Sequence, residues 1–202
     1  PVVVGAHDRS GELLVLELRE ERAVKARPGS EVQRGENAVD ILVRDARVEI
    51  MLPSGARITL VEREAVGRWV AADGLEWFVD AEGFLFPSAE PAAAPDLRVV
   101  DERGPRSPGE RIDPALVLVA LRLAAVAPGE LRADATAPRV VMTAGATGLT
   151  LRFGSGWEIR FGGPESFEEK LALAKRFLRD NPQRGLDYVD VRSADRIVVS
   201  PQ

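Results

Sequence analysis

The chain has no cysteine and a single histidine, His7, among its 202 residues. The lack of cysteine excludes a disulfide framework, a thiol nucleophile and a cysteine metal site. One histidine, with no second histidine or cysteine to join it, does not form the usual zinc site or a catalytic triad. Carboxylates are the remaining candidates for such chemistry, and we expect neither a metal nor another cofactor.

Long apolar runs and an excess of positive charge are also lacking. No apolar stretch is long enough to cross a bilayer, and no signal peptide is visible. The formal net charge is −5, whereas a nucleic-acid-binding protein needs a basic face to displace counterions from phosphate. The length allows one large domain or two small ones, and either can bury a substantial core.

The most regular pattern in the chain lies between residues 156 and 199. Residues 157–161 alternate large and polar side chains, which predicts a strand. Ser166 and Glu169 then predict a capping box at the start of a helix. The apolar face of that helix recurs at helical spacing, at Phe167, Leu171, Ala174 and Leu178. Further predictions are a helix end at Asn181-Pro182, strands at 186–192 and 196–199, and a turn at 193–195.

Several short sequences resemble the carboxy-terminal end of the FtsQ/DivIB family, bacterial cell-division proteins of the periplasmic or extracytoplasmic space. They are Gly156-Trp157, Arg160-Phe161-Gly162, Glu169-Lys170 and Tyr188-Val-Asp-Val-Arg192. Residues 79–86 resemble a further family signature, and within it Asp80 and Gly83 predict a tight turn with glycine at positive φ. The resemblance is close from about Arg63 to the end of the chain and looser before it.

The first 64 residues show a different order of patterns. A valine-rich run at 1–5 predicts a strand, and 37–45 a helix capped by Asn37. Residues 10–21 fit either a helix or a strand, since their leucines satisfy both periods. Residues 47–52 and 57–63, with a turn between them, predict a hairpin. The order strand, helix, helix, strand, strand resembles a POTRA domain, although two prolines usual in the family are absent around this hairpin.

The resemblance therefore implies an α+β fold in two domains. Residues 1–64 would form a POTRA-like domain with two helices on a three-stranded sheet. Residues 65–202 would form a mostly antiparallel β domain with two helices. The first of these two helices is predicted to begin at Asp113, its expected cap. It is apolar nearly all round, so we expect it to be deeply packed. The second is the helix predicted from residue 166 onward. Other predicted strands lie at 69–70, 76–79, 84–86, 97–100, 139–142 and 149–153.

Catalytic interpretations are weaker than structural ones. Most carboxylates fall at caps, turns or alternating strand positions, where solubility explains them. Ser155 lies in a predicted hairpin turn with no base in sight. Tryptophans at 69, 77 and 157 are compatible with carbohydrate stacking, but packing is the commoner use of such residues. We therefore expect no catalytic residues and no enzymatic activity.

The last predicted strand is the candidate binding site. If residues 196–199 form the end of the sheet, one side of that strand has no partner within the chain, and another polypeptide can add to it. An edge protected by brevity or charge is the alternative interpretation, and both stay open here. By resemblance, this region receives a segment of FtsB, with contacts from Tyr188, Arg192, Ser193, Asp195 and Arg196 and a backbone edge at Ile197, Val198 and Val199. Arg192 is then a candidate partner for a carboxylate.

The implied function is a non-enzymatic division scaffold. Its partners by resemblance are FtsB, FtsL-like proteins and FtsW/FtsI-like synthase components. The chain opens at Pro1 without methionine, and the family implies a single membrane helix upstream that anchors this part at the septal side of the inner membrane. The main alternative is a POTRA-bearing envelope module that binds extended polypeptides as a chaperone or transporter. A carboxylate-based envelope hydrolase is a third interpretation.

Overall fold

A computed structural model of the protein describes residues 2–7, 13–18, 42–51, 55–87, 96–182 and 184–200. The chain divides into two compact units, residues 1–63 and residues 64–202. Among the described residues, no helix is both long enough and apolar enough to cross a membrane.

The described part of the first unit consists of two antiparallel hairpins. Strands β1 (Val2–His7) and β2 (Leu13–Leu18) pair with each other, and β3 (Val43–Met51) pairs with β4 (Gly55–Glu62). The predicted hairpin at 47–52 and 57–63 is confirmed.

Two helix predictions in this unit need correction. Of the two alternatives for 10–21, the strand is correct at 13–18, where alternating leucines pair with β1. The helix predicted at 37–45 is wrong at 43–45, because these residues already belong to the strand that pairs with β4. Residues 37–41 lie outside the described residues, so the POTRA arrangement stays a prediction.

The second unit contains a nine-stranded mixed sheet and two α-helices in its described part. The helices are α1 (Pro114–Ala124) and α2 (Phe167–Asp180). The strands are β5 (Gly67–Val70), β6 (Glu76–Val79), β7 (Leu85–Phe86), β8 (Arg98–Asp101), β9 (Arg139–Met142), β10 (Leu149–Arg152), β11 (Glu158–Gly162), β12 (Tyr188–Ser193) and β13 (Arg196–Ser200). They are ordered β13-β12-β11-β10-β9-β8-β5-β6-β7 across the sheet. The predicted α+β class is confirmed.

This sheet contains three parallel and five antiparallel pairs of neighbouring strands. Neighbours β11 and β12, β8 and β9, and β5 and β8 are parallel, and the remaining pairs are antiparallel. Helix α2 connects β11 to β12, as a crossover between parallel strands requires. The alternation of large and polar residues predicted that individual strands exist, but it did not predict which strands would be parallel neighbours.

Both helices pack on the sheet, α1 against β9 and β10 and α2 against β11 and β12. All four residues of the predicted apolar face of α2 are buried: Phe167, Leu171, Ala174 and Leu178. Helix α1 is less enclosed than its composition predicts, since Leu118 is 68% exposed. Its predicted cap is confirmed, because the Asp113 carboxylate accepts a hydrogen bond from the Ala115 N–H at 2.9 Å.

The capping box predicted at the start of α2 is wrong. Ser166 is the N-cap residue, but its side chain makes no capping hydrogen bond. The physical reason is its left-handed backbone, with φ of 48° and ψ of 35°. A capping hydroxyl requires an extended backbone to reach the N–H groups of the first turn.

Candidate partner-binding edge

Strand β13 forms one edge of the nine-stranded sheet. It pairs antiparallel with β12, from Tyr188↔Ser200 to Asp190↔Val198, and the register shifts before Ser193↔Arg196. Within the described part of the chain, no strand pairs with the outer side of β13. Because backbone N–H and C=O groups point alternately to the two sides of a strand, some of those in β13 face outward without a ladder partner.

The side chains of β13 divide between the two faces of the sheet. Ile197 and Val199 are half-buried and pack against the core. Arg196 and Val198 are exposed, and Val198 keeps 45% of its surface accessible. One face of the strand therefore packs on the core, and the other exposes the side chains of Arg196 and Val198 to solvent.

An internal ion pair holds Arg192 on β12. Its Nη2 lies 2.7 Å from Asp190 Oδ2, and its Nε donates to both oxygens of the same carboxylate. Burial disfavours the ionised carboxylate, but the hydrogen bonds from Arg192 outweigh it and lower the pKa of Asp190. The same hydrogen bonds raise the pKa of Arg192. A partner carboxylate would meet a guanidinium that already has a counterion.

Two further contacts fix the position of Arg192. Its Nη1 donates to the carbonyl oxygen of Ala146 at 3.1 Å, in the loop after β9. Its aliphatic stem crosses Gly162, where a Cβ would lie 3.0 Å from Arg192 Cγ. Gly162 also has φ of 75°, so glycine serves both the backbone conformation and the close approach.

A groove of about 350 Å³, the edge groove, lies beside this pair. It is lined by Ala146, Asp190, Arg192, Ser193, Arg196 and Val198. The structure thus brings four of the predicted site residues together, Arg192, Ser193, Arg196 and Val198. Sequence reasoning missed Ala146, which comes from a distant loop and carries no chemical signal. It named Asp190 only within the family-like run from Tyr188 to Arg192.

The remaining predicted site residues lie around this groove. Asp195 is in the β12–β13 turn, where its Oδ1 accepts from the Ser193 hydroxyl at 2.6 Å, a bond that lowers the pKa of Asp195. Tyr188 lies at the other end of the edge, with the Arg160 guanidinium 3.8 Å from its ring centroid. Their part in binding stays a prediction.

The structure also bears on the alternatives to binding. Trp69 and Trp157 are buried, so packing, the preferred interpretation of these two side chains, is confirmed. Trp77 is half-buried and donates from Nε1 to the Arg106 carbonyl oxygen at 3.1 Å. Across the described ranges, no group of three or more histidine, cysteine, aspartate or glutamate residues is arranged to hold a metal ion.

One comparison with known proteins covers most of the second unit. A family model, Cell division protein FtsQ/DivIB, C-terminal, matches residues 67–192, so the match includes most of β12 and stops before β13. Cell division proteins FtsQ from Chloroflexus aurantiacus and Chloroflexus aggregans are each 31% identical to the chain over 152 residues, which is 74% of this chain. The chain spans about half the length of these curated relatives, 54% in each case. It belongs to the FtsQ/DivIB family of cell division proteins.

Proposed function

We propose that this chain is the extracytoplasmic part of a non-enzymatic division scaffold, and that β13 takes up a segment of FtsB as an added strand. The observation that carries the proposal is the outer side of β13, with which no described strand pairs, beside the edge groove. FtsL-like proteins and FtsW/FtsI-like synthase components are further proposed partners. The proposed location is the septal inner membrane, with a single membrane helix upstream and a POTRA-like domain at 1–64.

Strand addition suits the geometry of this edge. Main-chain hydrogen bonds supply affinity in such complexes, while side chains beside the strand select the sequence that binds. Val198 offers an apolar contact, and Ile197 and Val199 hold the strand against the core from the other face. A five-residue strand of this kind presents a short ladder, which suits a partner that also makes contacts beyond it.

Arg196 is a better candidate than Arg192 for a partner carboxylate. Arg192 is neutralised by Asp190 at 2.7 Å. Arg196 is exposed and forms no ion pair with any residue in the described part of the chain. The two guanidinium groups line one groove, so an acidic partner side chain there would gain from Arg196 without displacing the internal pair.

Paired proline substitutions test the strand-addition proposal. Because N–H groups alternate in direction along a strand, one of Val198 and Val199 directs its N–H outward and the other directs it toward β12. We expect one variant, Val198→Pro or Val199→Pro, to remain folded and to lose at least about tenfold in affinity for the extracytoplasmic segment of FtsB from the same organism. The other should lose stability, because it removes a hydrogen bond within the sheet.

Isothermal titration calorimetry gives the affinity, and circular dichroism reports folding. Val198→Thr is the matched control, since it keeps both the branched shape and the backbone N–H and should bind like the parent chain. Two folded proline variants with unchanged affinity would show that FtsB binds elsewhere or without strand addition.

A further inference from the structure

A second groove of about 340 Å³, the flank groove, lies at the start of β11 and β12. Residues from three separate stretches line it: Arg132, Ala133, Asp134, Ser155, Trp157, Pro182, Arg184, Gly185 and Leu186. The edge groove shares none of these residues. The flank groove is therefore a distinct feature of the surface.

Arg132 is a buried, hydrogen-bonded cation that lines the flank groove. Its side chain is only 7% exposed. Its Nε and Nη2 donate to the two oxygens of Asp134 at 2.6 and 2.5 Å, and its Nη1 donates to the Arg184 carbonyl oxygen at 2.7 Å. The guanidinium also lies 4.9 Å from the ring centroid of Trp157. A guanidinium carries five N–H donors, so this buried cation keeps donor capacity beyond these bonds.

Two residues that line the groove, Trp157 and Arg184, carry side-chain hydrogen-bond donors for which the described residues give no partner. The indole Nε1 of Trp157 is buried and makes no hydrogen bond, an arrangement that calls for an explanation in a native fold. Arg184 is exposed and pairs with no carboxylate in the part of the chain that the structure describes. The hydrogen bonds from Arg132 lower the pKa of Asp134, which stays ionised and balances only one of the two arginines. In a chain of net charge −5, this groove is locally positive.

The flank groove adjoins one end of the open edge. The Asp187 N–H, next to Leu186, donates to the Ser200 carbonyl oxygen at 2.9 Å, and the Ser200 hydroxyl donates to Asp187 at 3.3 Å. Ser200 is the last residue of β13, whereas Arg196, its first residue, lines the edge groove. A strand of five residues spans about 17 Å, so an extended polypeptide on the outer side of β13 would run from beside the edge groove to the end of the strand that adjoins the flank groove.

From this position and charge we infer that the flank groove binds a carboxylate-bearing segment of the same polypeptide that adds a strand to β13. The inference rests on the proposed strand addition and extends it. Acidic side chains next to the added strand meet Arg184 at the rim and the spare donors of Arg132 below. The groove would then determine which partner segments are accepted, because the backbone ladder alone is indifferent to sequence.

Site-specific photo-crosslinking tests this inference on the intact chain. A benzophenone amino acid is placed at Arg184, at Val198 or, as a control, at exposed Arg176 on α2. The probe is the extracytoplasmic segment of FtsB from the same organism. We expect crosslinks from positions 184 and 198 to nearby stretches of this segment, with an acidic residue close to the stretch captured from 184, and none from 176.

The outcomes separate the two proposals. Crosslinks from 198 without any from 184 would overturn the flank-groove inference and leave strand addition standing. An absence of crosslinks from both positions would overturn both. Capture at 184 of a peptidoglycan stem peptide, supplied in a separate arm, but not of the FtsB segment would assign the groove to the cell wall and also overturn the inference.

A charge reversal supplies an independent readout. Arg184→Glu should weaken binding of the FtsB segment by about fivefold, and the loss should shrink as salt is raised. Arg176→Glu makes the same charge change at an exposed helical site and should leave affinity unchanged. Equal affinities for the two variants would contradict a carboxylate at the flank groove.

Discussion

The two edge strands of the nine-stranded sheet, β7 and β13, differ in whether described residues hydrogen-bond to their outer sides. At β7, the Leu85 N–H donates to the Glu110 carbonyl oxygen at 2.9 Å, and the Leu85 carbonyl accepts from the Gly109 N–H at 2.8 Å. Residues 106–112, the covering segment, thus occupy the outer side of that strand. At β13, no described residue does the same. Among the described residues, the chain itself closes one edge, and no strand pairs with the outer side of the other.

A buried electrostatic cluster holds the covering segment in place. Asp101 is fully buried, and its carboxylate accepts from the Trp69 Nε1 at 2.8 Å and from the Arg103 side chain at 2.8 Å. Arg106 lies 3.2 Å from the same carboxylate and 3.3 Å from Glu110. Ion pairs of Arg106 therefore connect the covering segment to the buried Asp101 in the sheet.

The contrast shows that an open edge is not a general property of this fold. Unpaired edges promote aggregation, and proteins usually cover or charge them. Here the chain covers β7 with seven residues and a buried ion cluster, while β13 exposes Val198 and Arg196. The same contrast separates positions expected to determine stability, on the covered edge, from positions proposed to determine binding, on β13.

The largest expected effect is the loss of stability in Gly83→Ala. Gly83 has φ of 79°, and a Cβ there would lie 1.9 Å from the carbonyl oxygen of Ile112, at the end of the covering segment. Backbone strain and the clash together should lower the free energy of unfolding by about 3 kcal/mol. Urea denaturation measures this change.

Gly74→Ala is the matched control. Gly74 has φ of 84°, but no atom lies within 4 Å of the added methyl group. It should cost only the conformational strain, about 1 kcal/mol. Equal losses in the two variants would show that contact with the covering segment adds nothing to stability.

A smaller effect, with a distinctive pH dependence, is expected for Asp101→Asn. Burial opposes ionisation of Asp101, but the hydrogen bonds from Arg103 and Trp69 lower its pKa from 3.8 to about 2. A lowered pKa in the folded state stabilises the fold above the ordinary pKa, and this stabilisation is lost as the pH falls through about 2. We expect the parent chain to lose about 2 kcal/mol more than Asp101→Asn between about pH 6 and about pH 2.

Denaturation at several pH values measures this difference. Asp180→Asn, at an exposed position on α2, is the control and should follow the parent chain. A parallel pH dependence in Asp101→Asn and the parent chain would mean that the ion cluster does not stabilise the covering segment through its charge.

Local features of this sheet were predictable from sequence where neighbouring residues decide them. The turn at Asp80 is one example, since its Oδ1 accepts from the Glu82 and Phe84 N–H groups at 2.9 Å and Gly83 has the predicted positive φ. The cap at Asp113 and the buried face of α2 are others. In each case the signal lies within a few residues of the structure that it predicts.

Features that depend on distant residues were not predictable. The parallel partners of β8 and the cover of β7 follow from which strands meet in space, and no local pattern records that. The Arg192–Ala146 contact and the flank groove have the same origin. Ser166 shows a different kind of failure. The local sequence has the residues of a capping box, but the left-handed backbone at Ser166 prevents the capping hydrogen bond.

The smallest expected effect on stability, at Val198, sharpens the comparison most. Val198 is 45% exposed on the open edge, whereas Phe86 is 4% exposed on the covered one. Val198→Lys should change the free energy of unfolding by less than about 0.5 kcal/mol, because little apolar surface leaves the interior. It should nevertheless weaken the proposed strand addition, since edge lysines disfavour pairing with another strand. Phe86→Lys, the matched substitution on the covered edge, should cost several-fold more stability because it buries a charge. If Val198→Lys destabilised the fold as much as Phe86→Lys does, β13 would be enclosed by other parts of the chain, and its outer side would not be free to receive a partner.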